Sequence, residues 1–246
     1  MSKIAVVAGA GSGVGRAVVV ELAKRGYQVA LLGRRLDPLE ETIKLAGGGA
    51  GGIPGGNGRS LSAIPCDISR EQDVAAMCGR VRAEFGPPSV LVNSAGTNVA
   101  RRSLAELSVA DWHHVVDVDL TGAFLVTHAF LSDMRKAGRG TIVHVVSDAG
   151  LTANRVSGAA YVASKFGLVG FTGTINAEER RNGIRACAVC PGEINTPLLD
   201  RRPVPPPQEA RLKMLQPEDV AACVMLAIDL PDRATVEQLL VRPREA

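Results

Sequence analysis

Tyr161 and Lys165 stand four residues apart in the run Tyr161-Val162-Ala163-Ser164-Lys165. On a helix that spacing puts both side chains on one face. A free phenol has a pKa of about 10, too high to exchange protons readily near neutrality. Lowering it by about three units takes about 4 kcal/mol. One ammonium ~4 Å away supplies about that much at an effective dielectric near 20. Lys165 is thus sufficient to make Tyr161 a general acid/base, and the expectation is a lowered Tyr161 pKa. The bland alternative is an ordinary amphipathic pair.

A second group sits near the N-terminus. Gly9-Ala10-Gly11-Ser12-Gly13-Val14-Gly15 lies between the β-like run Ile4–Ala8 and a helical pattern over 14–24. Glycines allow a tight turn and let backbone N–H groups approach a pyrophosphate, and the helix N-terminus adds partial positive charge. The spacing alone also fits the loop that holds S-adenosylmethionine in methyltransferases. A Walker A motif is absent, because GK[ST] is missing. The second strand, 28–32, breaks the tie. A ribose-binding strand usually ends in Asp or Glu, which accepts bonds from the ribose hydroxyls. Here it ends Leu31-Leu32-Gly33-Arg34-Arg35. A guanidinium pairs bidentately with a 2′-phosphate and keeps its charge. Arg34 and Arg35 therefore point to NADP(H), and away from NAD(H) and S-adenosylmethionine.

The surrounding chain must position these groups. Further β-like runs fall at Leu61–Pro65, 89–92, 141–146 and 184–190, each followed or preceded by a helical pattern. Asp37 with Pro38 and Glu40, and Ser69 with Gln72, read as helix starts. Buried apolar strands alternating with helices predict an α/β fold: one doubly wound parallel sheet (Rossmann fold) in a single domain, 1–246. Residues 46–58 are glycine-rich and read as a surface loop. Residues 197–207 carry five prolines and read as a stiff segment without regular structure, inside a substrate lid at about 196–212. The helical stretches 112–134 and 161–175 are apolar on more than one stripe. That predicts a homodimer or homotetramer packed through 112–136 and 161–182.

Composition narrows the classes. The 246 residues are 46% hydrophobic and 22% charged, an ordinary globular balance. A net charge of +3 from 28 basic and 25 acidic residues argues against nucleic acid as the main partner. No apolar run approaches the ~18 residues of a membrane span. The N-terminus lacks the pattern of a secretory signal, so a cytoplasmic protein is expected. Five cysteines without a dense framework read as reduced thiols. Cys187 and Cys190 fall three apart on a strand and so face opposite ways. The histidines form no ligand set, so no metal is expected. His128 and His144 read as packed or hydrogen-bonded core residues.

These residues together resemble the short-chain dehydrogenase/reductase family from about residue 3 to 242. The family's TGxxxGxG appears at 8–15 with alanine replacing threonine. Its NNAG appears as Asn93-Ser94-Ala95-Gly96. Its adenine-site aspartate appears as Asp67, followed by Ile68. Its YxxxK is the Tyr161–Lys165 run, and its catalytic serine matches Ser147. Its PG motif is Pro191-Gly192, with Ile194 and Thr196 implied at the nicotinamide end. The resemblance implies the strand order 3-2-1-4-5-6-7 and NADP(H)-dependent interconversion of a carbonyl and an alcohol. Ser147 would orient the substrate oxygen, Tyr161 would exchange the proton, and Lys165 would also hold the nicotinamide ribose. The family's mid-helix asparagine is Asp119 here, a departure expected to raise the Lys165 pKa. Asn154, Arg155, Leu198 and Leu199 are candidate substrate contacts by their position after the fifth and sixth strands. The runner-up readings are a non-catalytic NADP(H) sensor and a methyltransferase. The lid composition does not distinguish sugar, steroid, acyl or quinone carbonyls.

Overall fold

The computed structural model describes residues 3–47 and 60–244, so most of the 46–58 loop lies outside the described residues. The strands are β1 Ile4–Ala8, β2 Gln28–Gly33, β3 Leu61–Pro65, β4 Val90–Asn93, β5 Gly140–Val145, β6 Ile184–Pro191 and β7 Gln238–Val241. The helices are α1 Gly13–Lys24, α2 Leu36–Leu45, α3 Glu71–Glu84, α4 Val109–Val116, α5 Gly122–Ala137, α6 Ala159–Glu179, α7 Gln208–Lys213 and α8 Pro217–Asp229. All strand pairs are parallel, in the order β3-β2-β1-β4-β5-β6-β7. The expected order and fold class are thus found.

Strands β1 and β4 are buried at every residue, as strands covered on both faces must be. Side chains alternate between the faces. Ala5 and Val7 join a core with Val18 and Leu22 of α1 and Val220 and Val224 of α8. Val6 and Ala8 join another with Met77 of α3, Phe130 and Met134 of α5 and Ile175 of α6. The strand order reverses between β1 and β4, which opens a crevice at the carboxyl ends of the strands.

Several local expectations shift. Helix α2 begins at Leu36 after an extended Arg35, so Asp37 sits in the first turn, where an acid favours the helix dipole. Ser69 does not cap α3, because its hydroxyl donates to the Asp67 carboxylate at 2.7 Å. The helical stretch from 109 to 137 is interrupted by a π-helical turn, Asp117–Thr121, between α4 and α5. By length and composition this stretch could cross a membrane, yet Val126, Phe130 and Met134 lie against the sheet. The proline-rich segment is not irregular throughout: Pro197–Arg201 forms a 3-10 turn and α7 follows. Pro197 opens that turn, where a fixed φ helps and a missing N–H costs nothing.

Cys187 packs on one face of β6 and Cys190 on the other. Burial pushes their thiols up to about 12 and about 11, so both stay protonated. His144 is fully buried between Thr127 and Thr172. His128 is exposed instead of packed in the core, and stacks on Phe124 at 5.5 Å. It lies four residues after Phe124 on α5, on a stripe turned away from the sheet.

Candidate active site

A cleft of about 730 Å³ opens at the carboxyl ends of the central strands. At one end the β1–α1 turn presents Gly9, Gly11, Ser12, Gly13 and Val14. Ser12 precedes α1 without a side-chain cap, so the first-turn N–H groups stay open to an anion. Gly15 lies behind the lining: a Cβ there would collide with the Gly9 carbonyl and the Ser94 hydroxyl. The turn is held from α2, since Thr42 Oγ1 donates to the Ala10 carbonyl at 2.9 Å. Arg16 donates to the Gly11 carbonyl at 2.6 Å and pairs with Glu41 at 2.7 Å.

Arg34 and Arg35 line the same end, just past β2, and both are exposed. Neither forms an ion pair among the described residues. Asp67 and Ile68 face them from beyond β3. Burial alone would raise the Asp67 carboxyl, but two hydrogen bonds from Ser69 and the charges of Arg34 and Arg70 hold it below the usual range. The glycine cradle, the uncapped helix end and the two guanidinium groups fit a phosphorylated dinucleotide.

The middle of the cleft holds the proton-handling groups. Ser147 ends the segment after β5, and Tyr161 and Lys165 lie on the first turns of α6. The Ser147 hydroxyl donates to Asp148 Oδ1 at 3.4 Å and accepts from the Ala149 N–H at 3.1 Å, and its presence acts to lower the Tyr161 phenol. Lys165 Nζ lies 5.2 Å from the Tyr161 ring centroid. Gly150 is needed here, because a Cβ would come within 2.7 Å of the Lys165 carbonyl.

Asp119 does not line the cleft; it lies behind Lys165, fully buried. Its Oδ1 accepts from the Thr97 N–H at 2.7 Å, and its Oδ2 lies 3.2 Å from Lys165 Nζ. The π turn places Asp119 there, as π turns often do at functional sites. Burial pushes the Asp119 carboxyl up, against the pull of Lys165. Burial alone would lower Lys165, but Asp119 and Tyr161 outweigh it and hold the ammonium above its ordinary value. Tyr161 differs from expectation. Lys165 does act to lower it, but burial and the Asp119 charge win, and the phenol is pushed up.

Ala95, Gly96, Pro191, Gly192, Ile194 and Thr196 also line the cleft, as do Asn154, Leu198 and Leu199. Asn93 does not: it is buried at the end of β4, where its Oδ1 accepts from the Ala95 N–H at 3.3 Å. Arg155 is exposed and outside the lining.

The sequence reading missed Arg102, Arg201 and Arg202, which all line the cleft. The signal was available as two arginine doublets, 101–102 and 201–202, after the ends of β4 and β6. Only the folded chain brings them together.

The comparisons agree with this geometry. A family model described as short chain dehydrogenase matches residues 3–204. The (3R)-3-hydroxyacyl-CoA dehydrogenase of Homo sapiens is 39% identical over 206 residues, covering 82% of this chain and 77% of that protein. The D-beta-hydroxybutyrate dehydrogenase of Rhizobium meliloti is 30% identical over 226 residues, covering 92% and 83%. A solved metagenomic short-chain oxidoreductase in complex with NADP matches with a TM-score of 0.82 at 29% identity, over 99% of this chain and 98% of that one. The chain belongs to the short-chain dehydrogenase/reductase family, oxidoreductases that interconvert a carbonyl and an alcohol.

Proposed function

We propose that this protein is an NADP(H)-dependent carbonyl reductase, with residues 1–246 acting as one cofactor-binding domain and 196–212 covering the substrate. The observation that carries the cofactor choice is the end of β2, where Gly33 replaces a carboxylate and Arg34 and Arg35 face the cleft. A 2′-phosphate gives those guanidiniums a dianionic partner, whereas a bare ribose gives them none.

When bound, a nicotinamide cofactor supplies the hydride that reduces the carbonyl carbon, or accepts it in reverse. The Ser147 hydroxyl holds the carbonyl oxygen. Tyr161 gives that oxygen its proton, so the product is the neutral alcohol and the phenol becomes phenolate. Lys165 stabilises the phenolate, and Asp119 fixes Lys165. A phenol held protonated by burial suits the acid role, and hence reduction.

The working form is a cytoplasmic homodimer or homotetramer packed through the helices at 112–136 and 161–182. Phe124 and Phe166, 45% and 43% exposed, support that reading. Calorimetric titration with NADPH and NADH, repeated on Arg34→Ala, tests the cofactor choice. Tight NADPH, weak NADH and a selective loss of about tenfold or more in the variant are expected. Equal binding of both cofactors would sink the NADP(H) assignment.

A further inference from the structure

The cleft carries positive charge at both ends, and only one end is explained by a cofactor phosphate. At the other, Arg102, Arg201 and Arg202 converge from two different loops. Arg102 is 8% exposed and meets no carboxylate among the described residues. Among the described residues its guanidinium donates to carbonyls alone: Val99 at 2.7 Å, Arg201 at 2.6 Å and, weakly, Val156 at 3.5 Å. It thereby ties together the segments after β4, β5 and β6. Gly158 makes room for it, because a Cβ there would come within 2.5 Å of the Arg102 carbonyl.

Arg201 is exposed overall, but its Nη1 donates to Thr97 Oγ1 at 2.5 Å. Thr97 is also the residue whose N–H binds Asp119. The Arg201 charge is therefore one residue removed from the Asp119–Lys165 pair. Arg202 is already balanced by Glu193 at 2.7 Å. Asp148, the other acid nearby in the lining, pairs with Arg242 at 3.4 Å. Among the described residues, Arg102 and Arg201 thus line the cleft without an anionic partner. For the buried Arg102 that lack is costly, and an anion brought by a ligand relieves the cost, while the exposed Arg201 offers its charge to the cleft.

We propose that Arg201, supported by Arg102, forms an anion subsite, so that the substrate is a carbonyl compound bearing a carboxylate or phosphate. This assignment rests on the carbonyl-reductase reading and adds the substrate class to it. Both arginines line the cleft that holds Ser147 and Tyr161, so one small molecule can carry the anion and the reacting carbonyl together, as a β-keto acid does.

The test is steady-state reduction of four probes: acetoacetate, its neutral methyl ester, acetoacetyl-CoA and the uncharged acetoacetyl N-acetylcysteamine thioester. Each is measured with wild type, Arg201→Gln and Arg101→Gln. Arg101 is exposed and outside the lining, so it serves as the charge control. The wild type is expected to prefer the acid over the ester by about tenfold or more in kcat/KM. Arg201→Gln should collapse that ratio, chiefly through KM, while Arg101→Gln preserves it. A preference for the CoA thioester over the short thioester, lost in the same variant, would put the anion on a phosphate instead. A wild-type salt series gives a reading independent of folding. Added chloride should raise KM for the charged probe and leave the neutral one unchanged. Equal use of neutral and charged probes would overturn the subsite and leave the reductase reading standing. Turnover of none of the four with either cofactor would overturn the β-keto acid assignment, while the reductase reading is judged by the cofactor titration.

Discussion

Asp119 takes one hydrogen bond and makes one ion pair. One carboxylate oxygen takes the Thr97 N–H and the other faces the Lys165 ammonium. An asparagine in the same rotamer has one oxygen, so it must turn its NH2 toward one of those donors. Kept on Thr97, it leaves Lys165 without its anionic neighbour. Replacement therefore removes a negative charge that holds both Lys165 and Tyr161 up. Asp119→Asn is expected to retain turnover. Reduction needs the protonated phenol, so its rate falls as pH passes the Tyr161 pKa. In the variant that falling limb should move to lower pH by on the order of one unit. A pH–rate profile of both proteins checks it. An unmoved limb, or complete loss of turnover in a folded variant, would refute the charge argument. The sequence singled out Tyr161 and Lys165 by their helical spacing and Ser147 by family resemblance, and the fold brings all three into one cleft. The sequence could not give the net direction of the Tyr161 shift, which depends on how deeply the folded chain buries the phenol.

At the scale of elements, two turns hold each other at the switch point of the sheet. Gly9 follows β1 with φ +77, and a Cβ there would come within 2.6 Å of the Ala95 backbone N beyond β4. Gly26 has nearly the same backbone, φ +80, with nothing within 4 Å. The pair separates conformational strain from close packing. Gly26→Ala should lose about 1–2 kcal/mol, the cost of a left-handed side chain. Gly9→Ala should lose about 1–3 kcal/mol more, because backbone atoms must move apart. Urea unfolding measures both, and equal losses would mean that the contact between the turns contributes nothing. The first six strands were readable because buried parallel strands leave short apolar runs between helical patterns, and their order was legible only through the family resemblance. The π turn at Asp117–Thr121 was not, since one wide turn barely disturbs a helical period. The lid helix α7 was hidden for another reason: the prolines before it dominate the local signal.

At the scale of the molecule, one buried imidazole sets how the fold meets acid. His144 lies on β5 under α5 and α6, stacked on Phe171 at 5.6 Å. Thr172 commits its hydroxyl hydrogen to the Leu168 carbonyl at 2.7 Å, so its oxygen takes the His144 Nδ1–H at 2.9 Å. Nε2 is then left to accept from Thr127 at 3.3 Å. Both nitrogens are satisfied only when the ring is neutral. Burial, with the Lys165 charge nearby, lowers its pKa to about 3. The unfolded chain binds that proton near pH 6.5, and the folded chain does not until about pH 3. Between those limits the unfolded state holds more protons, so stability falls as pH falls. The expected slope is about 1.4 kcal/mol per unit, or about 2 kcal/mol between pH 6.5 and 5. Carboxylates held low in the folded state act in the same direction. Glu21 is held by Lys24 and Arg25 and Glu179 by Arg135, and their contribution is lost only as pH falls below the ordinary carboxylate range. The window from pH 6.5 to 5 therefore excludes these two carboxylates, and comparison with a His144 variant cancels what Asp119, pushed up by burial, adds. Urea unfolding at both pH values, on wild type and His144→Gln, reads the slope and not the absolute stability. A shallower slope in the variant is the expected result, whatever its stability at pH 7. The same slope in both proteins would place the acid sensitivity elsewhere.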